Sequence, residues 1–402
     1  MAYDEPGRVF PTELPGLSAA ADLGDPGHGE SGRDRIGVHL IWEALLLVGL
    51  VALVVLLARA DVDAVRGERL HILLVDVVAL GLLALAVGLS LRTAAVNLAV
   101  GPVAVAAALH LAEQGDRGLQ EALVPALAVA VLGGLVLALA VTVLHVPGWA
   151  ASLAAAAAVV VWIERRTAPV SVQGDHDVRR VAFHLFAGFA AVAVLGGLFA
   201  AIRAVRRTVG RFRAVGDPAR RRGVAAALVT ATALVASTVL ALLAGVLLAA
   251  NGTGSVAPEP GLDRTVLAVG VALLGGTSAY GRRGGIFGTL LAVSLVAVVL
   301  ALATTEGQPL NRWAVGAAAL AVGLMVTRLV ETFGRPRPTA GEAAEPVPAG
   351  DGTISSGWSL TRPGRTDSWT PALPTPTTET PRDPWDAPHW ETGPNRWDDR
   401  DR

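Results

Sequence analysis

Leu273-Leu274-Gly275-Gly276-Thr277-Ser278-Ala279-Tyr280-Gly281-Arg282-Arg283-Gly284-Gly285-Ile286-Phe287-Gly288-Thr289 joins two long apolar stretches. Six glycines and an arginine pair sit where one membrane helix must end and another begin. Glycine lets the backbone turn sharply and lets helices touch closely. An arginine at the bilayer centre costs roughly 2.5–3.5 kcal/mol on insertion scales. Arg282 and Arg283 are therefore expected at a water interface.

The composition agrees with a membrane setting. The chain has 402 residues, 52% of them hydrophobic and 17% charged, with a mean hydropathy of +0.53. A soluble domain of this balance would leave too much apolar surface in water. The formal net charge is −1 and gives no argument for nucleic acid. No lysine occurs, so every fixed basic side chain is arginine. Cysteine is also absent, which excludes disulfides, thiolate metal sites and cysteine catalysis. No apolar stretch follows Met1 closely enough for a cleavable signal peptide.

Three zones follow. Residues 1–36 form a polar tail and residues 37–333 carry the apolar segments. Residues 334–402 form a second polar tail with half of the 24 prolines and five of the nine tryptophans. Both tails are expected to be disordered and cytoplasmic. About ten hydrophobic segments fill the middle zone: 38–58, 70–91, 94–112, 122–144, 146–163, 181–202, 224–250, 265–280, 285–304 and 313–330. Most are near the roughly 20 residues a helix needs to cross the hydrocarbon. The fifth and eighth are short. Apolar residues run all round most segments without period-2 alternation, which predicts an all-α transmembrane bundle and not a barrel.

Arginine counts set the orientation. The connection 203–223 holds eight arginines (Arg203, Arg206, Arg207, Arg211, Arg213, Arg220, Arg221 and Arg222) against one acid, Asp217. It is placed in the cytoplasm of a multi-pass protein of the plasma (inner) membrane. Ten crossings then put both tails and the Gly281–Gly284 turn inside. One connection disagrees, because 164–180 carries Arg165, Arg166, Arg179 and Arg180 and falls outside. Nine or eleven crossings remain open.

Four stretches resemble, in order, the permease subunit of ribose/xylose-type ABC importers, a branch that includes branched-chain amino-acid permeases. The run from Leu274 to Thr289 resembles the family's signature L-G-G-T-S-x-x-G-G-x-G-x-x-x-G-T through Gly275, Gly276, Thr277, Ser278, Gly281, Arg283, Gly284, Gly288 and Thr289. Arg282 replaces one of its usual glycines. Gly210 to Arg220 resembles the approach to the coupling helix, G-R-x-x-x-A-x-G-x-N-P-x-A-A-R. The span ending near Leu243–Ala249 also fits, and Val96-Asn97-Leu98-Ala99-Val100-Gly101 resembles the early I-D-L-S-V-G motif. Asn97 stands where the family usually has aspartate and Ala99 where it has serine. Arg220-Arg221-Arg222 replaces the usual Glu/Ala-Ala continuation.

The resemblance implies a permease subunit without its own ATPase site, importing a monosaccharide or similar small polar solute. Asn97 and Gly101 would lie on the solute path, and Gly216, Asp217, Pro218, Ala219 and Arg220 would couple to an ATPase. Partners implied are cytoplasmic ABC ATPase subunits, an extracytoplasmic solute-binding protein and a second permease, identical or similar. No cofactor is expected in this chain. ATP would be bound by a separate subunit, since a chain without lysine cannot supply a Walker A loop.

Each candidate also has a plainer reading. The Gly275–Thr289 run serves equally as a membrane-embedded break or as a tight helix connection. Asn97 can meet a sugar hydroxyl or tie neighbouring helices together. The 203–222 arginines can flank a coupling helix or anchor on anionic lipid headgroups. Asp76 and Glu43 are acids within spans, each about five residues from a helix end where a side chain can reach water. No His or Arg in the same span offers either a buried partner, which weakens an ion- or proton-coupled carrier. The tail residues Trp358, Trp369, Trp385, Trp390 and Trp397 read as a linear motif, membrane stickers or a solvated tail. Asn251-Gly252-Thr253 matches a glycosylation sequon at chance frequency. The histidines show no metal spacing, so no metal site is expected. A permease-like scaffold or regulator that has lost transport stands as the competing class.

Overall fold

The computed structural model describes residues 36–174, 176–202, 223–252, 254–281 and 284–333. The coupling residues Gly216, Asp217, Pro218, Ala219 and Arg220, the arginines 282 and 283, and both polar tails lie outside them.

Ten α-helices occur among the described residues: α1 (Ile36–Ala60), α2 (Gly67–Arg92), α3 (Val100–Gln114), α4 (Leu119–Thr142), α5 (Gly148–Ile163), α6 (Ala182–Ala201), α7 (Gly223–Asn251), α8 (Leu262–Leu274), α9 (Gly288–Thr305) and α10 (Arg312–Phe333). Each falls on one of the apolar segments. Seven of them are long and apolar enough to cross a membrane. The others, α3, α5 and α8, have 15, 16 and 13 residues. A two-residue antiparallel pair, β1 (Val170–Ser171) with β2 (Ser255–Val256), links the α5–α6 and α7–α8 connections.

Helices α2 and α7 form the centre. In each, 56% of the apolar window is buried, against 17% in α1. Helix α7 packs against α2, α3 and α4, while α2 also meets α6, α8 and α9. Small residues make this closeness possible. A Cβ on Gly134 of α4 would sit 2.6 Å from the Val235 Cα of α7. Helix α8 is zipped to α10 in the same way: a Cβ on Gly270 would lie 2.7 Å from the Leu320 nitrogen, and one on Gly316 3.0 Å from the Leu267 nitrogen. Outward faces stay apolar. Val129, Leu132, Val136 and Leu139 on α4 and Val192, Leu195 and Phe199 on α6 form exposed stripes at helical spacing. Such faces are costly in water and suit lipid.

Helix α2 stops through a hydrogen-bonded reversal. The Ala94 nitrogen donates to the Leu91 carbonyl (3.0 Å) and the Ala95 nitrogen to Ser90 (3.1 Å), with Ala94 in the left-handed region at φ 56°. Helix α8 stops by the same pattern. The Gly276 nitrogen donates to Leu273 (2.9 Å) and the Thr277 nitrogen to Ala272 (3.2 Å), with Gly276 at φ 83°. Here glycine supplies the conformation without a steric penalty. The two breaks that follow, 93–99 and the one from Gly275 to Gly281, are what make α3 and α8 shorter than their apolar segments.

Candidate functional site

Contacts sort the helix ends into two groups. At one end, the Arg69 guanidinium at the start of α2 is bonded to Asp61 just after α1, and Asn251 at the end of α7 donates to the Ile72 carbonyl of α2 (3.0 Å). Leu57 of α1, Ala64 and Val298 of α9 pack together there, and Arg312 at the start of α10 reaches Asp263 at the start of α8. A cavity of about 1300 Å³ opens among these ends.

Its walls come from α2, α8, α9 and the first turn of α10, with Leu248 of α7 and the connections before α2, α8 and α10. Leu80, Leu83, Leu267 and Ala297 give it an apolar interior, while Asp61, Arg69, Asp76, Glu259, Asp263, Arg264 and Arg312 bring charge. The charge reaches inward because α8 begins inside the bundle. After β2 the irregular residues 257–260 lead to Gly261, at φ 74°, whose backbone lies against the Gly101 carbonyl. The Thr265 hydroxyl donates to the Leu98 carbonyl (3.1 Å) and accepts from the Gly101 nitrogen (3.1 Å). The first turn of α8 is thereby fastened to the break between α2 and α3.

Asp76 faces the cavity and is held from behind. Its Oδ1 accepts from Asn251 Nδ2 at 2.8 Å. Arg179 donates to the Asn251 carbonyl (3.2 Å) and, through Nη1, to Glu68 at 2.6 Å. Arg264 and Arg312 also act on Asp76 through space. The partners missing from its own span thus come from α8 and α10. Arg312 lies 3.7 Å from Asp263 and 3.8 Å from Glu259. Arg264 Nε is buried with no hydrogen-bond partner among the described residues. Such a lining offers donors and acceptors to a polar solute.

Neither Asn97 nor Gly101 lines this cavity. Asn97 is fully buried, with Nδ2 donating to Ser237 Oγ (3.0 Å) and Oδ1 accepting from the Ala99 nitrogen (3.0 Å). Its own nitrogen donates to Ser90 Oγ (3.1 Å). These bonds tie the break to α2 and α7. A Cβ on Gly101 would fall on the Gly261 carbonyl oxygen, so its place in the motif is set by close packing.

The Gly-rich run gathers at the opposite end of the bundle. Gly275 and Gly288 are in backbone contact, and Gly281, at φ 64°, lies against the Leu91 carbonyl at the end of α2. Gly284 faces Arg92, where an added Cβ would sit 2.6 Å from Nη2. Ser278 donates to Glu331 Oε1 (2.5 Å), and the Ala279 nitrogen to Thr327 Oγ1 (3.3 Å), both acceptors on α10. Thr277 is buried, and Thr289 is half-buried in the first turn of α9. Arg283 lies outside the described residues. Glu43 does not reach water. It is buried, and its Oε1 accepts from the Phe287 (2.8 Å) and Gly288 (3.0 Å) nitrogens, capping α9 where the helix dipole favours an anion. Trp42 donates to the Leu274 carbonyl (2.7 Å), so α1 clasps both sides of the run.

Sequence reasoning missed Glu259, Asp263, Arg264, Arg312 and Asn251. The first four sit in short connections or first helical turns, where charge ordinarily marks a water interface. Asn251 fell in a sequon, yet it is the buried bridge to Asp76. Comparison with family models, with curated proteins and with solved structures finds no match for this chain.

Proposed function

We propose that the chain is the membrane permease subunit of an ATP-driven importer for a small polar solute. The observation that supports this reading is the cavity of about 1300 Å³, apolar inside and lined by acids and arginines from α2, α8 and α10. Solute sites of this kind are built where interrupted helices leave room between intact ones. Helices α3 and α8, each beginning within the bundle beside a break, supply that arrangement.

In this reading the chain crosses the plasma membrane ten times, with the 203–222 connection in the cytoplasm. The cavity then faces outward, where an extracytoplasmic binding protein would deliver a monosaccharide-sized solute. Three of the four arginines of 164–180 fit that outer position through their partners. Arg166 pairs with Glu113, Arg179 with Glu68 and Arg180 with Asp177. Cytoplasmic ATPases would act through Gly216–Arg220, with two permease subunits side by side.

A second reading, a permease-like scaffold without transport, is favoured by Asn97, whose amide is spent on Ser237 and Ala99. Co-purification of the tagged chain from its native membrane separates the two. The permease reading expects a stoichiometric ATPase that is lost on Asp217→Arg. Recovery of envelope proteins alone, dependent on residues 334–402, would sink transport.

A further inference from the structure

The cavity lining carries four carboxylates, Asp61, Asp76, Glu259 and Asp263, against three arginines, Arg69, Arg264 and Arg312. Three of the acids are matched. Arg69 is bonded to Asp61. Arg312 lies 3.7 Å from Asp263 and 3.8 Å from Glu259, and the same two acids act on Arg264 more strongly than Asp76 does. Arg179, behind the wall, is bonded to Glu68. Asp76 is the acid left over, and the lining holds one negative charge in excess.

Asp76 sits in the third turn of α2, on the stripe that also brings Leu73, Leu80 and Leu83 to the cavity. No cation among the described residues comes within ion-pair distance of it, and Arg312, Arg264 and Arg179 act on it only from farther off. Its Oδ1 accepts from the neutral Asn251 amide at 2.8 Å. Its Oδ2 accepts no hydrogen bond among the described residues, yet it is not sealed off inside the protein. A carboxylate at this depth is costly until it is paired and hydrogen-bonded. An ammonium supplies both the opposite charge and the N–H donors. A hydroxyl would bond Oδ2 and leave the charge unmatched. A metal ion would call for several oxygen ligands, and no group of three acidic or histidine side chains among the described residues could hold one.

We infer that the cavity takes a small solute carrying a single ammonium group, which donates to Asp76 Oδ2 while the carbon skeleton lies along Leu80, Leu83, Leu267 and Ala297. This rests on the permease reading and names the solute class within it.

The probes are D-glucosamine, D-glucose and N-acetyl-D-glucosamine, which carry an ammonium, a hydroxyl and a neutral amide at the same carbon. Binding is measured by titration calorimetry on the full chain in nanodiscs of zwitterionic lipid, at a mildly acidic pH that keeps the amine protonated. Glucosamine should bind about tenfold or more tightly than either neutral sugar. D76N should abolish that preference while glucose affinity stays within about twofold, because the new amide oxygen can still accept from Asn251. D263N removes a charge that an arginine already matches, and should leave most of the preference in place. Equal affinity for the three sugars, a preference that survives D76N, an equal loss from D263N, or binding of none would overturn the inference. ATPase co-purification is read independently, so the permease reading can stand when the ammonium preference fails.

Discussion

Ala94 adopts φ 56° at the stop of α2, a conformation that costs an L-residue roughly 1–2 kcal/mol. The bonds Ala94 to Leu91 and Ala95 to Ser90 hold it there. Ala94→Gly should relieve the strain and, after the entropy glycine loses on folding, raise stability by about 0.5–1 kcal/mol. Unfolding of the purified chain in detergent measures this, and a loss of stability would contradict the account of the break. Two adjacent glycines of α4 give a sharper contrast. A Cβ on Gly133 meets nothing within 4 Å, whereas one on Gly134 meets the α7 backbone at 2.6 Å. Gly133→Ala should be neutral or stabilising by about 0.5–1 kcal/mol, and Gly134→Ala destabilising by about 1–3 kcal/mol. Equal effects of the two would mean that α4 and α7 do not touch there.

Elements explain what could be read from the sequence and what could not. The ten apolar segments each carry a helix, because hydropathy reports which residues avoid water. It does not report where the backbone bonds stop. The third segment was expected from Ala94, yet α3 starts at Val100, since residues 93–99 spend their polar groups on Ser90, Ser152 and Ser237. The eighth was expected to reach Tyr280, yet α8 ends at Leu274 through the Gly276 reversal. The Gly-rich run was legible as a break, and its glycines prove to be points of contact with α2 and α9. The charged cavity was not legible, because Asp76, Arg264 and Arg312 are brought together from three distant helices. One connection carries a pH dependence. Arg166 grips Glu113, just past the apolar part of α3, through Nε (2.5 Å) and Nη2 (2.9 Å) while stacking on Trp162 at 3.7 Å. The hydrogen bond from Arg166 outweighs burial and holds the Glu113 carboxyl below its ordinary value. A carboxyl lowered by folding contributes stability above its unfolded pKa of about 4.3 and loses it as pH falls through the depressed value. Arg166→Gln should therefore flatten the acid limb of the stability profile below about pH 4.5 relative to the parent. An unchanged acid limb would show that the pair does not hold α3 to the α5–α6 connection.

On the scale of the whole molecule, the two ends of the bundle carry different business. One end gathers the Gly-rich run, the capped start of α9 and the Ser278–Glu331 bond into a tightly packed plate. The other opens the charged cavity among the α1–α2, α7–α8 and α9–α10 connections. A permease needs the second end to face the side from which solute arrives and the 203–222 connection to face its ATPase. The absence of cysteine makes this directly measurable, since any introduced thiol is the only one in the chain. Thr304→Cys and Asn311→Cys place a thiol on the cavity wall, and Gly216→Cys places one in the arginine-rich connection. Intact cells are treated with a membrane-impermeant maleimide. The account predicts labelling at 304 and 311 without lysis and at 216 only after lysis. Labelling at 216 in intact cells, with 304 and 311 silent until lysis, would contradict it.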